Sequence, residues 1–360
     1  MADHPYRDLP DSAYWRRSVP TAGAFADPVA GFGIRLSRED RVATAGSCFA
    51  QHIARHLAAS GFSYLVTETA HPIVPADAAR AAGYGLFTAR YGNIYTTLQL
   101  LQLIDRAYGR FVPVEDMWPG EGGAVLDPFR PTIQPGGFAS EAEMRTDRAW
   151  HLARVREAFE TLDVFVFTLG LTETWVSRRD GAAFPLCPGV AGGTFDPALH
   201  EFRNLRTGEV RAQLGAFVER LRAVNPHARV ILTVSPVPLA ATASGNHVLS
   251  ATIASKSILR AAAQEAAEDL ADVHYFPSYE IVTGPQARGR FFADDLREVT
   301  EEGVAHVMRV FLHHAAGVEA SPGAPAPPPA PATDNATARA QAWVATMCDE
   351  AMLDAGAAGS

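Results

Sequence analysis

Five short apolar runs punctuate the chain, at 42–46, 64–66, 164–169, 230–234 and 273–276. Between several of them, at 48–60, 149–161, 210–224 and 257–270, apolar residues recur every three or four positions, the spacing of one helical face. Short buried runs alternating with longer amphipathic stretches predict a mostly parallel sheet covered by helices on both faces. Ligands of such sheets sit beyond the C-terminal ends of the strands, so the residues just after each run are where chemistry is expected. The first run, Val42-Ala43-Thr44-Ala45-Gly46, passes through Ser47 straight into the helical stretch. A serine at that turn stands at a helix N-terminus, where unpaired backbone N–H groups favour an anion.

The remaining pattern is less regular. Residues 67–148 are rich in glycine, proline and aromatics, with one helical stretch at 95–108, and are expected to form an insertion or cap. Trp118, Asp127, Phe129 and Arg130 fall in it and either line a sugar site or pin the loop. A last helix is expected at 301–314, closing an α/β domain at 1–317. Residues 318–334 carry a run of alternating proline and alanine that cannot build a core and reads as a linker. The tail at 335–360 contains an alanine-rich helical pattern, 336–353, with Trp343 and Met347 on one side.

Composition narrows the partners. The 360 residues are 48% hydrophobic and 20% charged, enough to bury a sizeable core. A net charge of -9 without any dense basic run argues against nucleic acid and for a small molecule, sugar or protein. Cys48, Cys187 and Cys348 have neither disulfide nor zinc spacing and no Gly-x-Gly-x-x-Gly or P-loop sequence appears, so no metal or other cofactor is expected and a reducing, cytoplasmic setting fits. The first residues lack an apolar signal core and no uncharged run approaches the roughly 18 residues of a membrane span.

For Ser47 to be a nucleophile it needs a base, a group to orient that base, and donors for the developing oxyanion. Strand ends supply candidates. After the run at 164–169 comes Gly170-Leu171-Thr172-Glu173-Thr174-Trp175, a turn crowded with hydroxyls and one carboxylate. Gly46-Ser47-Cys48-Phe49-Ala50 spells the motif of the GSCFA family, and 168–175, Ser235-Pro236-Val237-Pro238-Leu239 and Ser255-Lys256-Ser257 resemble its other signature segments. The resemblance covers roughly residues 15 to 315. The GSCFA family is in turn similar to the SGNH (GDSL-like) hydrolases, which implies a flavodoxin-like three-layer α/β sandwich and esterase, lipase or carbohydrate O-deacetylase activity.

Carried over by position, the resemblance makes Ser47 the nucleophile and Gly92, followed by Asn93, the second-block glycine. The third block, Gly-x-Asn-Asp, falls on Gly170, Leu171, Thr172 and Glu173, so a hydroxyl replaces the amide that donates to the oxyanion. The last block, Asp-x-x-His, falls on Asp295 to Glu298, with glutamate in place of histidine. Glutamate is a poor base for serine unless burial raises its pKa. Among 12 histidines, His247, in a polar loop after the fourth apolar run, is the first choice of base, with His71 second. His306, His313 and His314 lie along the last helix, and His52 and His56 form an i, i+4 pair without a third metal ligand. Cys48 is an alternative nucleophile, and Lys256 is placed to bind a substrate phosphate or carboxylate at a helix start.

The leading expectation is an acyl-ester hydrolase or acyltransferase acting on acetylated carbohydrate, an acyl-CoA being one candidate donor for transfer. The rival, motivated by Thr172 and Glu298, is a glycan- or nucleotide-binding protein that keeps a hydrolase-like fold without turnover.

Overall fold

The apolar runs build one sheet. In a computed structural model, residues 4–317 and 352–353 are described. The linker at 318–334 and nearly all of the tail helix expected at 336–353 lie outside the described residues. Strands β1 (Val42–Gly46), β4 (Val164–Leu169), β8 (Arg229–Val234) and β9 (Val273–Phe276) form a four-stranded sheet in the order β1-β4-β8-β9. Its β1–β4 and β4–β8 pairs run parallel, with Gly46 opposite Thr168 and Thr168 opposite Thr233. The run at 64–66 contributes a single parallel bridge, Tyr64 to Val42, on the other side of β1. Counting it, the strands lie second, first, third, fourth and fifth, so the direction of strand addition reverses between β1 and β4. In doubly wound sheets that reversal opens the crevice where ligands bind.

Two small antiparallel sheets accompany it. Strands β2 (Trp118–Pro119) and β3 (Val125–Leu126) pair within the expected insertion, and β6 (Ala183–Phe184), β5 (Glu173–Ser177) and β7 (His200–Asn204) form a three-stranded sheet straight after β4. The helices are α1 (Trp15–Ala22), α2 (Cys48–Ala59), α3 (Ala76–Ala81), α4 (Thr97–Ala107), α5 (Glu141–Thr161), α6 (Thr207–Val224), α7 (Val248–Asp269), α8 (Ser278–Thr283) and α9 (Glu301–Ala316). Helix α2 buries Phe49, Ala50, Ile53, Ala54 and Leu57, a stripe recurring at helical spacing, against β1 and β4. Phe159 of α5, Phe165 of β4 and Phe217 of α6 meet edge-on or tilted with centroids 5.2 to 5.9 Å apart, fastening two helices to the central strand.

The described residues divide into two compact units, one of 37–275 and one of 4–36 with 276–317. The second holds α1, α8 and α9 and two aromatic groups: Phe25, Phe291 and His306, and Phe32, Phe276 and Phe311.

The segment at 88–95 is not a peripheral lid. Past the Tyr64 bridge, it takes over the outer edge of β1: Thr88 Oγ1 accepts from Thr44 N at 3.1 Å, the Tyr91 hydroxyl donates to Thr44 O, and Ile94 N donates to Gly46 O at 2.9 Å. It then crosses the strand ends, where Tyr95 O accepts from Gly170 N at 3.1 Å and Leu171 N at 2.9 Å. A capping box of Thr96 and Gln99 starts α4 immediately afterwards and fixes the crossing. Gly92 and Asn93 are thereby carried to the strand ends.

Candidate active site

Gly46 makes the site possible. Its φ is 142°, and a Cβ there would stand 2.5 Å from Thr168 O and 2.8 Å from Thr168 Cβ, so only glycine lets β1 end against β4. Ser47 follows in extended conformation as the N-cap of α2. A serine at that position ordinarily turns its hydroxyl onto an amide of the first helical turn, a bond contributing about 1 kcal/mol. Ser47 makes no such bond, and its Oγ is buried without a hydrogen-bond partner among the described residues.

The walls around it are polar and buried. A Cβ on Gly170 would lie 3.5 Å from Ser47 Cβ, so the end of β4 adjoins the serine. Thr168 Oγ1, two residues earlier on the same strand, is buried without a partner, and so is Gln51 Nε2, one turn along α2. Asn93 and Tyr95 are buried in the crossing segment. Buried polar atoms in native proteins are nearly always hydrogen-bonded, so the three on α2 and β4 are candidates to meet a ligand's polar atoms or water.

The other expected site residues have separate occupations. Thr172 donates its hydroxyl to Asn204 Oδ1 at 2.6 Å, and both its hydroxyl and N–H reach Ser255 Oγ, at 3.0 and 3.1 Å. Glu173 accepts from the Thr242 hydroxyl at 2.6 Å and anchors the loop that follows β8. Lys256 lies not at a helix start but more than two turns inside α7, 1% exposed, with Nζ donating to Gly170 O at 2.7 Å. It orients the Gly170 peptide rather than facing solvent. His247 is the exposed N-cap of α7, its Nδ1 accepting from Leu249 N at 3.2 Å. His71 is exposed and its Nδ1 accepts from Ile73 N, while His306 is buried in the second unit against Ala26 O. Asp295 and Glu298 belong to that second unit too. Both are exposed, and Asp295 Oδ1 accepts from the N–H groups of Arg297 and Glu298, forming a tight turn closed by the Phe292–Val299 bridge. No imidazole hydrogen-bonds Ser47 Oγ among the described residues.

Trp118, Asp127, Phe129 and Arg130 pin their segment instead of lining an open sugar cleft. Trp118 is 1% exposed and packs on Phe184, with Nε1 donating to Glu115. Asp127 and Arg130 join a buried ionic network that sequence reasoning missed. Arg130 bridges Asp127 and Asp147, Arg90 reaches Asp147 at 2.7 Å, Arg148 joins Asp127 to Asp116, and Glu68 accepts from Arg90 N at 2.7 Å. The network clamps Arg90, two residues before Gly92, and so positions the segment that crosses the strand ends. His151 Nδ1 lies 2.7 Å from Glu68. Burial, then Arg130, holds the imidazole down at about 4, so the ring is neutral and donates to the carboxylate. Burial opposes ionisation of Glu68, but His151 and Arg130 overcome it and bring its carboxyl down to about 2. His151, Arg106, Arg130 and Asn93 line a cavity of about 20 Å³, room for one water. Glu68 and His151 are 83 positions apart and carry no local signal that would pair them.

Among the described residues, Asp27, His313 and His314 of the second unit bring potential ligand atoms within 4.8 Å of one another, and His314 Nε2 lies 2.6 Å from Asp27. His52 and His56 instead bond locally, to Arg55 and to a backbone carbonyl. No helix among the described residues is long and apolar enough to cross a membrane. The sequence model of the GSCFA family matches residues 41–311, a span that includes Ser47, Asn93, Gly170 and Glu298. No curated protein and no solved structure matches the chain.

Proposed function

As the chain belongs to the GSCFA family, we propose that it is an acyl-ester hydrolase or acyltransferase with Ser47 as nucleophile, on an SGNH-type, flavodoxin-like version of its α/β fold. The observation that carries this reading is a serine in the helix-capping position that does not cap. Its hydroxyl makes no bond to its own helix, and the residue sits at the N-terminus of α2 against the end of β4, at the strand reversal. Such an arrangement suits a hydroxyl that must form a bond to carbon.

In the reaction Ser47 Oγ adds to the acyl carbonyl as its proton passes to a base, and the carbonyl oxygen becomes an oxyanion beside the first turn of α2. Collapse expels the alcohol, which takes up that proton. Water or a sugar hydroxyl then resolves the acyl-enzyme, giving hydrolysis or transfer. The substrate class is an O-acylated carbohydrate, with an acyl-CoA as donor in the transferase version. His247 remains the first choice of base. To act it has to release Leu249 N–H, a cost of about 1 kcal/mol, when substrate is bound. Thr172's commitment to Asn204, and a glutamate on an exposed turn in place of the block's histidine, favour the rival reading of a binding protein without turnover.

Hydrolysis of p-nitrophenyl acetate by wild type and Ser47→Ala separates the two. The proposal expects kcat to drop by roughly a thousandfold or more in the variant. Activity unchanged in Ser47→Ala removes Ser47 as the nucleophile, and absence of activity in wild type across acyl chain lengths leaves the binding reading.

A further inference from the structure

The residue at the asparagine position of the oxyanion block is Thr172, and its hydroxyl is already donated to Asn204 Oδ1 at 2.6 Å. The side-chain donor is therefore absent from the place where the family pattern puts it. One turn along α2, Gln51 is only 4% exposed, and its Nε2 is buried with no hydrogen-bond partner among the described residues. Buried side-chain amides in native proteins nearly always have a hydrogen-bond partner, so one without a partner calls for an explanation. Residues four apart share one helix face, and helical side chains lean toward the N-terminus, so the Gln51 amide leans over the turn that begins at Ser47. Helix α2 is 12 residues long, and its first amides favour negative charge at the same end.

We infer that Gln51 is the side-chain donor of the oxyanion site, a role that rests on Ser47 being the nucleophile. When the Ser47 Oγ–carbon bond forms, the carbonyl π pair moves onto oxygen and the serine proton leaves to the base. Gln51 Nε2–H and backbone N–H groups at the start of α2 then hold the oxyanion until it collapses and the alcohol leaves. No group among the described residues accepts from this amide, so no protein hydrogen bond is lost when the donor is removed.

That supplies the test. Gln51→Met keeps the volume and removes the donor. Full-length Gln51→Met is expected to lose about a hundredfold to a thousandfold in kcat on p-nitrophenyl acetate, with KM within about twofold. Its melting temperature is expected to stay level or rise, whereas a structural glutamine would lower it. Labelling of Ser47 by a fluorophosphonate, read by mass spectrometry, is expected to slow by a similar factor. Gln51→Leu gives the same reading should the methionine variant fail to fold. Retention of kcat within about threefold in Gln51→Met, while Ser47→Ala is inactive, overturns the role of Gln51 and leaves the hydrolase intact. Full activity in Ser47→Ala removes the nucleophile and the Gln51 assignment with it.

Discussion

A methyl group at position 46 would meet Thr168 O at 2.5 Å in a backbone conformation that L-residues avoid. Gly46→Ala is therefore expected to cost about 3 kcal/mol or more and to lower the melting temperature sharply, which thermal unfolding followed by circular dichroism would read. A melting temperature within a few degrees of wild type would show that β1 and β4 yield at this point. The Gly-Ser turn was legible in the sequence because both of its determinants are local: an apolar run ending in glycine and a helical pattern starting at once. The duties of Thr172 and Lys256 were not. Each is decided by a partner brought from a distant segment, Asn204 for one and the Gly170 carbonyl for the other, and neither contact leaves a periodic trace.

Elements follow the same division. The four strands of the main sheet lie within one residue of the expected runs, because buried parallel strands read as unbroken apolar stretches. Helix α7 begins at Val248 rather than 257, since its first turns are mixed in polarity and its cap is a histidine, which is an unusual signal. Most of what the insertion does was hidden, because charged residues in sequence look like solvated loop. Here Asp127 is 0% exposed and accepts from Phe129 N and from the guanidinium groups of Arg130 and Arg148. Asp127→Asn would remove the buried carboxylate shared by two arginines, leaving Arg130 only Asp147 and Arg148 only Asp116, and is expected to destabilise by about 3 kcal/mol in urea unfolding. Breaking the solvent-exposed Arg145–Glu141 pair, by contrast, should change stability by no more than about 0.5 kcal/mol.

For the molecule as a whole, the buried Glu68–His151 pair sets a direction for acid sensitivity. The folded imidazole titrates at about 4 against 6.5 for an ordinary histidine, so the unfolded chain takes up the proton first as pH falls. Stability contributed by the neutral ring is present above about 6.5 and is lost progressively toward 4. Glu68, ordinary at 4.5 and about 2 when folded, adds a further loss below 4.5. Melting temperatures measured from about pH 8 to 4 should decline below about 6.5, and a flat profile would remove this pair as the cause. The fold class was legible from the alternation of runs and amphipathic stretches, but the division that separates Asp295 and Glu298 from the unit holding Ser47 was not, since a two-segment unit breaks no local pattern. The outer margin of β1 carries one last consequence. With Thr88, Tyr91 and Ile94 answering its backbone groups one by one, that margin is hemmed by its own chain, and it offers no template on which a foreign strand or a second molecule can extend the sheet.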